Sequence, residues 1–151
     1  MVMKLGKLEQ ITDLRSIWKH EANDFTPWLA KEENLAALSD AIGIELVLEE
    51  QESNVGDFSV DLFATEEGTG RKVVIENQLE ETNHDHLGKI ITYASGKDAE
   101  VIIWIVRKAR DEHKKAIEWL NQHTDDSSAF FLIEIEVWKI GNSEPAPKFN
   151  I

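Results

Sequence analysis

Apolar positions change their period several times along the chain, and each change marks a predicted element. Leu14 to His20 reads as a short helix, with Asp13 as a candidate cap. A second helix starts at Thr26-Pro27, a capping residue followed by proline at the first helical position. It runs, with a break near Glu33, through Leu35, Leu38 and Ile42 to a glycine stop at Gly43. The period then drops to two. Ile44, Leu46 and Leu48 alternate with Glu45 and Glu49 in a half-buried strand, and Asn54 to Gly56 is turn chemistry. Phe58, Val60 and Leu62 mark a second strand, Glu67 to Gly70 a turn, and Lys72 to Gln78 a third strand. These three strands are expected to form an antiparallel meander.

A helix from about His84 to Ser95, closed by Gly96, comes next. Val101 to Val106 is a continuous apolar run, the mark of a strand covered on both faces. Arg110 to His123 is an amphipathic helix with Ala116, Ile117 and Leu120 on its apolar side, and Phe130 to Ile140 is the last strand. The proline-containing tail 143–151 is expected to be irregular. The order is α-β-β-β-α-β with an extra helix and strand. It fits one α/β domain over 1–151, with a core at about 26–106 and a C-terminal helix and strand at about 110–140.

Composition narrows the class. The 151 residues are 42% hydrophobic and 30% charged, as in a globular protein, and contain no cysteine, which excludes disulfides and thiolate metal sites. A reducing cytoplasm is the expected location. No apolar run is long enough to span a bilayer, and Met1 to Lys7 is not followed by a signal-peptide core. The net charge of −13 is the reverse of what a phosphate-gripping surface usually carries, so a local basic face or a partner chain would have to supply that grip.

The polar positions carry the candidate chemistry. Asp57, Ser59 and Asp61 are expected on one face of the second strand, with Phe58, Val60 and Leu62 on the other. Glu76 and Gln78, two apart on the third strand, point the same way, opposite Val73 and Ile75. Pairing of the two strands brings Asp61 beside Glu76. Two close carboxylates repel unless a cation lies between them, and a hard divalent ion suits that position. Solvated acidic residues on a strand face are the plain alternative. On the following helix, His86, Lys89 and Tyr93 fall on one stripe that can address phosphate, and Leu87, Ile91 and Ala94 on an adjacent apolar stripe. A solvated helix face is the alternative there too. His84 and His86 diverge by about 200° on a helix and do not readily share a zinc ion.

At these residues the sequence resembles the PD-(D/E)XK nuclease superfamily, the three-layer αβα restriction-endonuclease-like fold. The text that carries the likeness is Gly56-Asp57-Phe58-Ser59-Val60-Asp61 followed by Val74-Ile75-Glu76-Asn77-Gln78, within 26–106. Trp18 to Leu29 and His84 to Tyr93 also look like segments of uncharacterised prokaryotic proteins bearing this domain. The resemblance implies that Asp61 and Glu76 bind Mg2+ or Mn2+ and that the domain cuts DNA, in defence or repair. RNA stays open as a substrate, as does a homodimer. Gln78 stands where the superfamily most often has lysine; its amide can hold a water but cannot act as a base. Lys89 is the candidate for a lysine moved to the next helix, and Glu21 for an outer metal ligand. A member that has lost cleavage and binds nucleic acid or protein is the alternative, as is an interaction domain with an acidic face.

Trp18, Trp28, Trp104, Trp119 and Trp138 read mostly as core, with base stacking as the alternative. Arg107, Lys108, Arg110, Lys114 and Lys115 form the one basic concentration, read as a solvated face before a phosphate track.

Overall fold

The computed structural model describes residues 3–151. Strand β1 (Leu8–Ile11) leads into a 3-10 turn (Leu14–Ser16) and a π-helical turn (Glu21–Phe25), then helices α1 (Thr26–Ala30) and α2 (Glu32–Ile42). Strands β2 (Leu46–Val55), β3 (Phe58–Glu66) and β4 (Lys72–Glu81) form the expected antiparallel meander. Helix α3 (His84–Lys97), strand β5 (Val101–Lys108), helix α4 (Asp111–His123) and strands β6 (Ala129–Ile140) and β7 (Ala146–Asn150) complete the chain.

All seven strands join one mixed sheet in the order β1-β6-β5-β4-β3-β2, with β7 also on β6. β4, β5 and β6 run parallel. Their two crossovers step in the same direction across the sheet, which places α3 and α4 on one face. Two apolar layers result. On one face Ile75, Ile103, Ile105 and Ile133 pack against Phe25, Leu29, Leu35 and Leu38. On the other, Val74, Ile102, Trp104 and Val106 pack against Ile90, Tyr93, Ala94 and Ile117. β5 is buried on both sides, as its unbroken apolar run requires. Each large aliphatic side chain so buried contributes roughly 1.5–3 kcal/mol of transfer free energy. No helix among the described residues is long and apolar enough to cross a membrane.

Several local expectations are revised. Residues 14–20 do not form one helix: only Leu14–Ser16 is a 3-10 turn, and a π-helical turn follows at Glu21–Phe25. The Thr26 hydroxyl does not cap α1; it faces inward and accepts a hydrogen bond from Asn77 Nδ2 at 3.0 Å. α3 passes through Gly96 and ends at Asp98, which takes the left-handed conformation at φ 53°. Gly96 is instead a contact residue, because a Cβ there would collide with the Val55 side chain of β2. The tail is not irregular: β7 pairs with β6, with Pro147 opposite Val137. Glu134 pairs with both Val106 and Asn150, and Trp138 with both Gln10 and Ala146, so β7 is an outer edge strand and β1 continues the line of β5. An edge strand tolerates proline because one row of its N–H groups has no ladder partner. On α3, Ile91 is exposed while Ile90 and Tyr93 are buried, so the stripe bearing Tyr93 faces the sheet. Trp119 is not core: it lies on the solvent side of α4, 57% exposed, stacked on His123.

Candidate metal centre

The sheet forks between β3 and β4. Their ladder ends at the Leu62–Ile75 pair, whereas β4 stays paired with β5 through Gln78. Beyond that point the β4 edge that faced β3 carries backbone N–H groups without a strand partner, and buried N–H groups must find acceptors. Carboxylates supply them. Asp61 Oδ2 accepts from Asn77 N–H at 2.8 Å, and two residues on Glu21 Oε1 accepts from Leu79 N–H at 2.9 Å. In return the Asp61 N–H donates to Glu76 Oε2 at 3.3 Å.

The expected alternation of β3 breaks at the same level. Val60 and Leu62 do not share a face: Val60 packs with α3 and Leu62 with the α1–α2 layer. On the other side of β3, Glu52 of β2 has φ 50°, a strained conformation for a non-glycine residue, between the pairs Gln51–Leu62 and Ser53–Val60. Glu52 Oε2 accepts from the Ser59 hydroxyl at 3.2 Å.

The electrostatics follow from burial. Glu76 is 7% exposed and Asp61 half-buried. Loss of water pushes the Asp61 carboxyl up to about 7, helped by the charges of Glu52 and Glu21 and opposed by the Asn77 N–H and Lys89. Burial, then the Asp61 charge, pushes Glu76 up to about 8, against the Asp61 N–H and Lys89. Lys89 is the cation that acts on both carboxyls; its Nζ lies 3.4 Å from Asp85 Oδ2. Tyr93 is buried on the same side, its ring 6.4 Å from that of exposed Phe58, and its hydroxyl pKa is raised by burial and by Glu76 and Asp61. Half-buried His86 is held by Asn83, whose Oδ1 caps α3 by accepting the His86 N–H at 2.8 Å. Burial and then Lys89 lower the His86 pKa, so the ring favours its neutral form.

The expected residues therefore divide. Asp61, Glu76, Glu21, Lys89, His86 and Tyr93 gather around the fork. Gln78 does not: its side chain is fully buried, with Oε1 accepting from Trp104 Nε1 at 3.1 Å and Nε2 donating to the Glu81 carbonyl at 2.8 Å. It braces β4 against β5 and is turned away from water. Asp57 sits in the exposed β2–β3 turn, not in the strand, about 13 Å of extended chain from Asp61. Ser59 reaches the site only through Glu52. Within the basic concentration, Arg110 and Lys114 pair with neighbouring carboxylates: Arg110 lies 3.8 Å from Glu81 and 3.3 Å from Glu112, and Lys114 3.9 Å from Asp111. Two further contributors, Glu52 and Arg15, carry no clear local signal in the sequence. Glu52 was hidden in an acidic run, Glu49 to Glu52, whose only signal is loss of alternation. Arg15, 3.0 Å from Glu21 Oε1, lay beyond any local pattern.

Among the described residues no group of three or more His, Asp or Glu side chains is gathered as a ready metal cage. Asp61 and Glu76 are a pair, and the pair suits a hard cation. Both donors are carboxylate oxygens, both are desolvated, and they resist ionising together. Mg2+ needs only one or two carboxylates, with waters and phosphate oxygens completing its shell.

No family model matches the sequence, and no curated protein does. Among solved structures the fold resembles a repair endonuclease from Pyrococcus abyssi, with TM-score 0.51 and 14% identity over 69% of this chain and 46% of that one. A weaker match is the EndoMS-dsDNA2 complex, with TM-score 0.46 and 16% identity over 66% of this chain and 44% of that one. The chain thus spans under half the length of the structures it matches.

Proposed function

We propose that the chain is a divalent-metal-dependent DNA endonuclease domain of the PD-(D/E)XK type, with its centre at the β3–β4 fork. The observation that carries the reading is the meeting of half-buried Asp61 and buried Glu76 where the ladder stops, joined by the Asp61 N–H to Glu76 Oε2 hydrogen bond. The shared architecture with a repair endonuclease agrees with it. Asp61 and Glu76 would hold Mg2+ or Mn2+, and Glu21 would stand as an outer carboxylate. The ion, when bound, supplies Lewis acidity toward the phosphoryl oxygen and acidifies a water. The chain's own residues do the rest. Lys89 offsets the negative charge of the carboxylates and of an incoming phosphate. Neutral His86 can donate a hydrogen bond to a phosphate oxygen, and Tyr93 closes the site on the α3 side. Gln78 serves as a structural brace and not as the group that positions water, so the cationic function of the motif lysine passes to Lys89.

The experiment is cleavage of plasmid and single-stranded DNA with Mg2+ or Mn2+ by the wild type, Asp61→Asn and Glu76→Gln. Each substitution is expected to lower the rate by about a thousandfold or more, since metal catalysis supplies several kcal/mol. Metal-dependent cleavage that persists in both variants would reject the assignment. The buried Gln78 favours a second reading, in which the fold binds nucleic acid or protein without cutting. Calorimetric Mg2+ binding that Glu76→Gln abolishes, without turnover on any DNA or RNA tested, would select it.

A further inference from the structure

A second cluster of candidate ligands lies between α3 and α4, outside the carboxylate fork. His84 Nδ1 and His113 Nε2 face each other at 2.9 Å. The rings meet edge to face, 4.9 Å apart at 70°. The two residues behave differently. His84 opens α3 and is exposed, whereas His113, in the first turn of α4, is 2% exposed. The remaining nitrogen of His113, Nδ1, lies 2.7 Å from Thr82 Oγ1, and the same oxygen accepts the Arg110 N–H at 2.9 Å. The Trp104 and His113 rings meet in a T-shaped arrangement, centroids 5.9 Å apart. Burial first, then His84 and Arg110, lower the His113 pKa, which favours the neutral ring.

We propose that His84 and His113 form a site for a borderline divalent transition cation of the zinc, nickel or copper class, distinct from the Mg2+ or Mn2+ centre. Three features carry it. Neutral imidazole nitrogens are the donors these ions select over the oxygen-seeking Mg2+. In the tautomer that gives its Nδ1–H to Thr82, His113 presents the Nε2 lone pair in a fixed direction, the arrangement that orients metal-binding histidines. Two nitrogens on one tetrahedral ion at 2.0–2.1 Å lie about 3.3 Å apart, so the pair needs to open by only a few tenths of an ångström. The exposed His84 ring has room for that movement. In the metal-free pair the His84 Nδ1–H donates to His113 Nε2. On binding, that proton passes through solvent to the outward-facing Nε2 of the same ring and the freed Nδ1 lone pair turns to the ion, so no net proton is lost. Water fills the other positions, and solvent reaches the site past His84. The ion would tie the start of α3, which carries His86 and Lys89, to α4.

The test titrates Zn2+ and Ni2+ into the metal-stripped full chain in a Glu76→Gln background, which disables the carboxylate centre. One saturable site is expected, and free ion at about a hundredfold over Kd should raise Tm by about 5–10 °C. Replacing exposed His84 by Ala should abolish both effects. Thr82→Val should weaken binding by about 10–100-fold. Bound Cu2+ should show hyperfine coupling to two imidazole nitrogens. His113→Ala opens a buried cavity, so His84→Ala is the deciding variant. Absence of saturable Zn2+ and Ni2+ binding, or binding unchanged by His84→Ala, would overturn the proposal.

Discussion

The two halves of β4 differ in what lies beside them. From Val73 to Ile75 the strand is laddered on both edges, to β3 and β5, and its side chains Val73, Val74 and Ile75 are apolar and buried. From Glu76 onward it keeps β5 but loses β3, and its side chains become Glu76, Asn77 and Gln78, also buried. Burial is the same in the two halves, and only the hydrogen-bond accounting changes. A closed ladder satisfies the backbone and leaves side chains free to be hydrocarbon. An open edge draws carboxylates to its N–H groups, and burial raises the pKa of Asp61 and of Glu76 beside it. The candidate chemistry is a consequence of where strand pairing stops.

The contrast is broken most directly by substitutions on adjacent residues. Ile75→Ala, in the closed half, should destabilise by about 2–5 kcal/mol at every pH. Glu76→Gln, in the open half, should stabilise the metal-free protein at pH 8 by an amount on the order of several kcal/mol. Asp61 and Glu76 have folded pKa values raised above their unfolded ones. The folded state therefore binds more protons, and their favourable contribution is full below about pH 4 and lost as pH rises through about 7 and 8. Chemical denaturation of wild type and Glu76→Gln across pH 4–9 in chelator should show the wild type falling behind, and Mn2+ should close the gap. A difference independent of pH would remove the electrostatic half of the comparison.

Lys89→Ala should next lower the cleavage rate about 10²–10³-fold, the scale of losing one charge-stabilising donor. It should also move the acidic limb of the pH–rate profile upward, because Lys89 lowers both carboxyl pKa values. Gln78→Leu should cost about 1–3 kcal/mol by leaving Trp104 Nε1 and the Glu81 carbonyl unpaired. Its rate, measured well below Tm, should stay near the wild-type value; a loss as large as that of Lys89→Ala would return Gln78 to the chemistry. The smallest effect is expected from Glu21→Gln, a weakening of metal binding by about tenfold read by calorimetry, as for an outer partner.

Much of this was legible before the fold was known. Alternation at Ile44 to Leu48, the run Val101 to Val106, the Thr26-Pro27 start and the Gly43 stop are local signals, because strand and helix periods are set by the backbone itself. They placed Asp61 and Glu76 on neighbouring strands, and the helical stripe placed Lys89 beside them. Short edge strands were not legible. β1 and β7 have no alternation of their own and exist because β6 offers them an edge. Nor could the sequence separate Gln78 from Glu76. Two residues apart on one face, they differ because Trp104 lies beside one and the fork beside the other. Residues near in the chain are enough to set the β2–β4 meander, α3, β5, α4 and β6, their order, and the placing of Asp61 and Glu76 on neighbouring strands. Only the tertiary structure decided that β3 leaves β4 after Ile75, that Glu21 and Glu52 lean on the site from distant segments, and that His84 meets His113. Those facts depend on which backbone groups are left without partners once the whole sheet has closed, and no local pattern contains that.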